Sequence, residues 1–496
     1  MEAWSGIGVR TLGTCLALVC AVHPFTPSRL HASVPQSADT AVFRRLPPPF
    51  VRPEDVGRPI NDTVAGLTMF RGNATRTHYG TGPAPANPRI LWRYPARPMC
   101  ARSRVGRLNN LWCGSGWTGQ PAVLQRANGV EVIFGAYDRR IHFVDGETGR
   151  DRRPPFATGD IIKGSVTADP DGYPLLYSGS RDNFFRIIAL DRDRPTELWR
   201  LSAADAPRPM WNDDWDANAV VREDHLFEGG ENGWFYIVKL NRRYDAQGLV
   251  QISPQVVVRF PGFDDSLLAV LRDQDVSIEN SPVVWGYRAY FANSGGLIWG
   301  LDLTRLREDP SEVRPVFRFW GGDDINATMV ADERGMLYVA AERQRRNGRN
   351  DAIGQLYSLD PRRAGEPRRW GLTFPRGPDR AGGIFATPAL HGQLLYVATH
   401  EGELVAVDRD SGVVRWRLPL TPHAWSSPVV VDSTLIVADC EGALRAFDVR
   451  LPAQQPPLLW QLRLPSGACI ESTPAVWRGR IYVGARDGYF YAIGDR

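Results

Sequence analysis

Cysteine patterns that hold metals or haem are missing from this sequence. Its 496 residues contain six cysteines, with no Cys-x-x-Cys, no Cys-x-x-Cys-His and no adjacent Cys-Cys pair. The missing patterns therefore argue against thiolate metal clusters and covalent haem. Long apolar runs are scarce too. The one pronounced stretch, Thr11–Val22 after Arg10, is too short to span a membrane but suits a signal-peptide core. A dominant charge is also lacking. A net charge of +4 is small for this length and points to no nucleic-acid partner.

Residues 1–32 therefore read as an export signal, cleaved after Ala21 or after Ala32. The mature chain is expected in the periplasm or outside the cell, with no transmembrane segment. Ala17-Leu18-Val19 before Cys20 is a poor lipobox, which argues against a lipid anchor. Cys15 and Cys20 leave with the signal. Cys100, Cys113, Cys440 and Cys469 remain, and an even count in an exported chain favours disulfides over four buried thiols. Residues 33–67, rich in Pro and Arg, read as a tether or a surface arm.

What the sequence has is turns and tryptophans: 48 Gly, 39 Pro and 16 Trp. They follow a repeat. Thr387–Leu390, Leu394–Thr399, Leu404–Asp408 and Val413–Leu418 read as four short strands joined by tight polar turns, an antiparallel meander. Equivalent first strands begin at Gln120, Ser165, Asn218, Ser281, Thr328, Thr387, Ser427 and Thr473. Most spacings are in the forties and fifties, the period of propeller blades. The fold class predicted is all-β: an eight-bladed β-propeller of four-stranded antiparallel blades. Seven blades is the alternative if the diverged Ser165 or Asn218 repeat is not a blade.

Trp92, Trp199, Trp320, Trp370, Trp416 and Trp460 recur on fourth strands and are expected to dock between neighbouring sheets. The last repeat stops after three strands at "YFYAIGDR". The orphan strand Arg89–Pro95, "RILWRYP", supplies its fourth and closes the ring, removing exposed sheet edges. In such a meander, the loops entering first strands and the turns between second and third strands share one face. Cys440 and Cys469 then meet in adjacent blades, and Cys100 and Cys113 share one loop. A bridge is expected within each pair.

"AVDRDSGVVRW" at Ala406–Trp416 resembles the tryptophan-docking motif of the pyrroloquinoline-quinone (PQQ) repeat propellers, with Ser411 in place of Thr. "MFRGNATRTHYG" is similar to the opening phrase of exported members of that superfamily. The resemblance covers Thr68–Arg496 and implies a PQQ-like propeller there. It leaves activity open, because the superfamily includes quinoprotein dehydrogenases and non-enzymatic scaffolds similar to the outer-membrane assembly lipoprotein.

Residues just before each first strand ring the funnel mouth, Thr118, Lys163 and Phe385 among them. Asp216, Glu279 and Asn326, from consecutive blades, are hard-oxygen ligands that suit Ca²⁺. Lys163, Trp425 and Glu471 are the candidate cofactor contacts, with Trp425 offering a flat surface to a ring. The resemblance implies PQQ with calcium at such a rim. Against it, there is no adjacent-cysteine ring, the blade inserts are mostly short, and no haem domain is present to take electrons. The basic loop Arg343–Arg349 reads as solvated, with docking of an acidic partner as the alternative. The sequence thus supports an exported, non-enzymatic propeller that needs no cofactor and binds an envelope protein or peptide. A PQQ- and calcium-dependent dehydrogenase is the alternative.

Overall fold

The structure, a computed structural model, describes residues 46–105, 108–117, 119–345, 347–376, 382–452 and 454–495. The expected signal at 1–32, the first part of the arm and Thr118 lie outside the described residues. Residues 47–496 form one unit.

Eight antiparallel sheets follow one another, six of four strands and two of five. The diverged repeats are true blades: Thr167–Ala168 opens blade 2 and Val220–Arg222 opens blade 3. Arg89–Tyr94 pairs antiparallel with Phe490–Gly494 and completes blade 8, as the orphan strand predicts. The chain is an eight-bladed β-propeller.

The Ser/Thr that begins six of the eight first strands has a specific task. The Ser427 hydroxyl accepts the Thr387 N–H at 3.0 Å, and Thr387 in turn accepts the Thr328 N–H at 3.0 Å. Thr328 accepts from Ser281, and Ser281 from Asn218. Strands this close to the axis are too short to pair every backbone group within their own sheet. A hydroxyl lent by the next blade satisfies the leftover donor. Aromatic stacks bind blade faces further out: Phe235 on Phe291 between blades 3 and 4, and Phe134 on Phe490 between blades 1 and 8.

The docking position is set by register. Trp199, Trp370, Trp416, Trp460 and Trp92 lie opposite Ile187, Ser358, Ala406, Ala446 and Ala492, just before a β-bulge in each blade. Trp370 donates to the Arg409 carbonyl and Trp92 to that of Gly146, each in the following blade. Each ring also covers a turn glycine there. A Cβ on Gly412 would sit 2.7 Å from Trp370, and glycine also tolerates the φ of +72° that the turn requires. Trp320 departs from the expectation. In blade 4 the equivalent position, opposite Gly300, is Phe317. Trp320 lies three residues further along, where its indole donates to Gly295 of its own blade. A Trp within the right strand was legible; its register against the third strand was not.

The segment "MFRGNATRTHYG" threads the central channel. Gly66–Leu67 adds to the first strand of blade 1, and Gly80–Thr81 runs parallel to that of blade 8. Between them, two fully buried arginines reach the ring. Arg71 donates to Thr387, Pro388 and Pro428 carbonyls at 2.6–2.8 Å. Arg76 donates to the Pro282 and Asn218 carbonyls. Burial lowers their pKa values to about 10 and about 9. Within the arm, Phe50 is buried against Phe227 and His225, and Arg222 holds the Phe50 and Ile60 carbonyls.

Candidate functional site

The funnel face is built from the loops entering first strands and the turns between second and third strands. Between blades 2 and 3, Lys163 meets a buried carboxylate triad. Its ammonium contacts Asp216 directly, Glu231 at 3.1 Å and Asp214 at 3.4 Å. Arg181 adds a 2.7 Å bond to Asp214. Burial opposes the Lys163 charge, but Asp216, Glu231 and Asp214 outweigh it and hold its pKa well above the ordinary value. Among the described residues, only this triad brings three acidic, His or Cys ligand atoms within 4.8 Å of one another.

Glu279 and Asn326 lie on the other side of this cluster, on blades 4 and 5. Glu279 accepts from the Ser277 hydroxyl, and burial raises its pKa to about 7 with the Glu231 charge adding to the effect. The Asn326 amide donates to Glu342, while its own oxygen is buried without a partner. Asp324, two residues before it, is 8% exposed and has an unpartnered buried oxygen. Burial, then Glu342 and Glu279, push Asp324 well above the carboxylate range.

Glu471 sits apart, between blades 8 and 1. Burial raises it to about 7, opposed by Arg486 at 3.7 Å. The hairpin of Cys100–Val105 and Leu108–Cys113 lies over this part of the face. Its Trp112 is flanked by Arg181 of blade 2 and Arg486 of blade 8. Cys100 is bonded to Cys113, closing the hairpin, and Cys440 to Cys469, joining blades 7 and 8, as their shared face predicts.

Trp425 belongs to an aromatic cluster across the funnel. His423 stacks on it at 5.1 Å, and Phe385 and Trp117 pack around it at 5.8 and 5.4 Å. Its indole N–H donates to His400 Nδ1 at 3.0 Å.

The fold thus joins Lys163 with Asp216, sets Glu279 and Asn326 beside them, and leaves Trp425 and Glu471 in separate clusters. Sequence reasoning missed Arg181, Glu231 and Glu342. All three lie in turns between second and third strands, so listing those turns as well as the strand entries would have found them. Arg71 and Arg76 gave no such signal. The basic loop is tied down within the chain: Arg343 pairs with Asp351, Arg345 with Asp273, and Arg349 donates to the Trp320 carbonyl.

A PQQ–calcium unit does not fit these residues as they stand. The Lys163 ammonium takes the place a metal ion would need in the compact triad, and the Trp425 ring is engaged by His423.

Residues 286–455 match the family described as outer membrane protein assembly factor BamB. No curated protein matches the sequence. Three solved structures share the fold. BamB from Moraxella catarrhalis is 16% identical, with a TM-score of 0.52 over 80% of this chain and 100% of that one. Quinohemoprotein alcohol dehydrogenase from Comamonas testosteroni is 13% identical, with a TM-score of 0.54 over 87% and 80%. The computationally designed Ika8 protein is 12% identical, with a TM-score of 0.51 over 74% and 93%. With its docking motif and its closed ring of eight blades, this chain is similar to the PQQ-repeat β-propellers, by sequence over residues 286–455 and by fold over most of its length.

Proposed function

We propose that this protein is an exported, non-enzymatic propeller of the cell envelope that binds a protein or peptide partner on its funnel face. The observation that carries this reading is that two of the groups a funnel cofactor would use, Lys163 and Trp425, are already engaged inside the chain. Lys163 is saturated by carboxylates, and Trp425 is stacked on His423. The same face carries apolar side chains open to solvent: Leu111 on the hairpin, Trp211 before blade 3 and Val270 before blade 4, each more than half exposed. Large exposed apolar groups on a rigid frame favour docking. The apolar Thr11–Val22 stretch and the two disulfides support an exported, periplasmic or secreted setting.

The test has two arms. Replacing Leu111, Trp211 and Val270 together by Ser should leave the melting temperature unchanged and weaken capture of the envelope partner at least about tenfold. Unchanged capture sinks the reading. PQQ with calcium should produce no quinone absorbance change and no dye reduction with alcohols or sugars. Turnover there would replace the scaffold reading with a dehydrogenase.

A further inference from the structure

The funnel's carboxylates are unevenly compensated. On the blade 2–3 side the triad has its own ammonium, from Lys163. On the blade 4–5 side, Glu279, Asp324 and Glu342 influence one another's ionisation and none of them forms an ion pair among the described residues; Lys163 acts on Glu279, and Arg345 on Asp324, only at longer range. The Arg345 guanidinium is directed elsewhere. It holds Asp273 at 2.6 Å, the Asp275 carbonyl at 3.2 Å and the Ser294 carbonyl at 3.3 Å. Glu342 has amide partners only, from Asn326 and Gln344.

Two further observations point to a ligand. The Asp324 Oδ1 is buried and unpartnered on a side chain more than nine-tenths buried, and the Asn326 Oδ1 beside it is buried and unpartnered too. Such acceptors cost free energy unless a donor meets them. Glu279 is only half-buried, so the group is reached from the funnel mouth.

The spacing selects among donors. Among the described residues, only the Lys163 triad is compact enough for three carboxylates to share one metal ion, whereas Glu279, Asp324 and Glu342 are spread wider. A bare ion needs close oxygens all round. An ammonium group is larger and presents three directed hydrogen bonds, as Lys163 does next door. We infer that the blade 4–5 half of the funnel binds an organic ammonium group, with Asp324, Asn326 and Glu279 as its acceptors and counter-charges. The group comes either from a free alkylamine or from a lysine side chain. The inference goes beyond the docking proposed above, because it concerns the funnel interior and stands if the rim binds nothing.

Calorimetric titration of the full-length protein at neutral pH tests it. The probes are n-pentylamine, its neutral isostere pentan-1-ol, calcium chloride and the peptide acetyl-Gly-Lys-Gly-amide. The amine should bind, the alcohol should not, and calcium should not displace the amine. Equal binding of amine and peptide assigns a free amine as the source. Tighter binding of the peptide assigns a lysine side chain. Asp324→Asn should weaken the amine at least about tenfold, the loss expected for one charge-assisted hydrogen bond. Glu279→Gln, at a more exposed position, provides a second variant if Asp324→Asn does not fold. The proposal is overturned if the alcohol binds as well as the amine, if calcium displaces it, or if a folded variant binds the amine unchanged.

Discussion

The Lys163 ammonium lies 3.1 Å from a Glu231 carboxylate oxygen, with both side chains buried in the funnel wall. The lysine comes from the entry to blade 2 and the glutamate from a turn of blade 3. Their contact therefore joins two blades at the point where Asp214 and Asp216 also converge. The ammonium makes this concentration of negative charge tolerable.

Removing that ammonium should be costly and should expose a latent metal site. Lys163→Met leaves Asp214, Asp216 and Glu231 facing one another. A loss of about 3–5 kcal/mol is expected, the range for breaking a buried ion pair from one side. Millimolar calcium should raise the melting temperature of this variant and leave that of the parent protein unchanged. Thermal unfolding with and without calcium checks both.

Stability should depend on pH through the funnel acids. Burial raises Glu279 and Glu471 to about 7 from 4.5, and Asp323 to about 6 from 3.8. A carboxyl whose folded pKa is raised binds more protons folded than unfolded between the two values. Its contribution to stability is present below the unfolded pKa and is lost as pH rises through the folded one. The contribution of these groups should therefore fall between about pH 4.5 and 7. Glu279→Gln should flatten that fall, as read from denaturant midpoints across the range.

The hydroxyl girdle should respond to single deletions. Ser427→Ala leaves the buried Thr387 N–H without its acceptor. The expected cost is about 1–3 kcal/mol, the penalty for an unsatisfied buried group. Ser427→Thr keeps the hydroxyl and should recover most of it. Chemical denaturation of the two variants separates hydrogen bonding from packing.

The channel segment should behave as part of the fold. Arg71→Met removes the donors to the Thr387, Pro388 and Pro428 carbonyls. Several kcal/mol of destabilisation is expected, since each orphaned carbonyl costs about 1–3 kcal/mol. Cleavage by limited proteolysis should also rise within residues 60–80. Equal stability and equal cleavage would show that the segment merely rests in the channel.

Much of the fold was legible because it is periodic. The Ser/Thr that opens most first strands and the Trp of the fourth recur at fixed places in the repeat, and a closed ring repeats one local problem eight times. The orphan strand at Arg89 and the pairing of Cys440 with Cys469 followed from the same topology. Legibility failed where the residue at a repeat position changed. Blade 4 has the same β-bulge as the other blades but carries Phe317 at the docking position, and Trp320 lies three residues beyond it. The site was legible only in its membership. Lys163, Asp216, Glu279 and Asn326 could be placed on one face, because strand direction alone decides that.

The sequence by itself determined the strand order of the blades, the closure of the ring and the face on which the polar residues gather, and left eight blades against seven to the structure. These depend on short-range patterns that each repeat carries in full. Only the tertiary structure decided that Lys163 neutralises a triad drawn from the neighbouring blade, that His423 covers Trp425, and that Arg71 and Arg76 hold the channel. Those outcomes depend on which side chains meet across blades, tens or hundreds of residues apart. Burial then sets the free-energy cost of any charge or carbonyl left unmatched, and no local pattern records that cost.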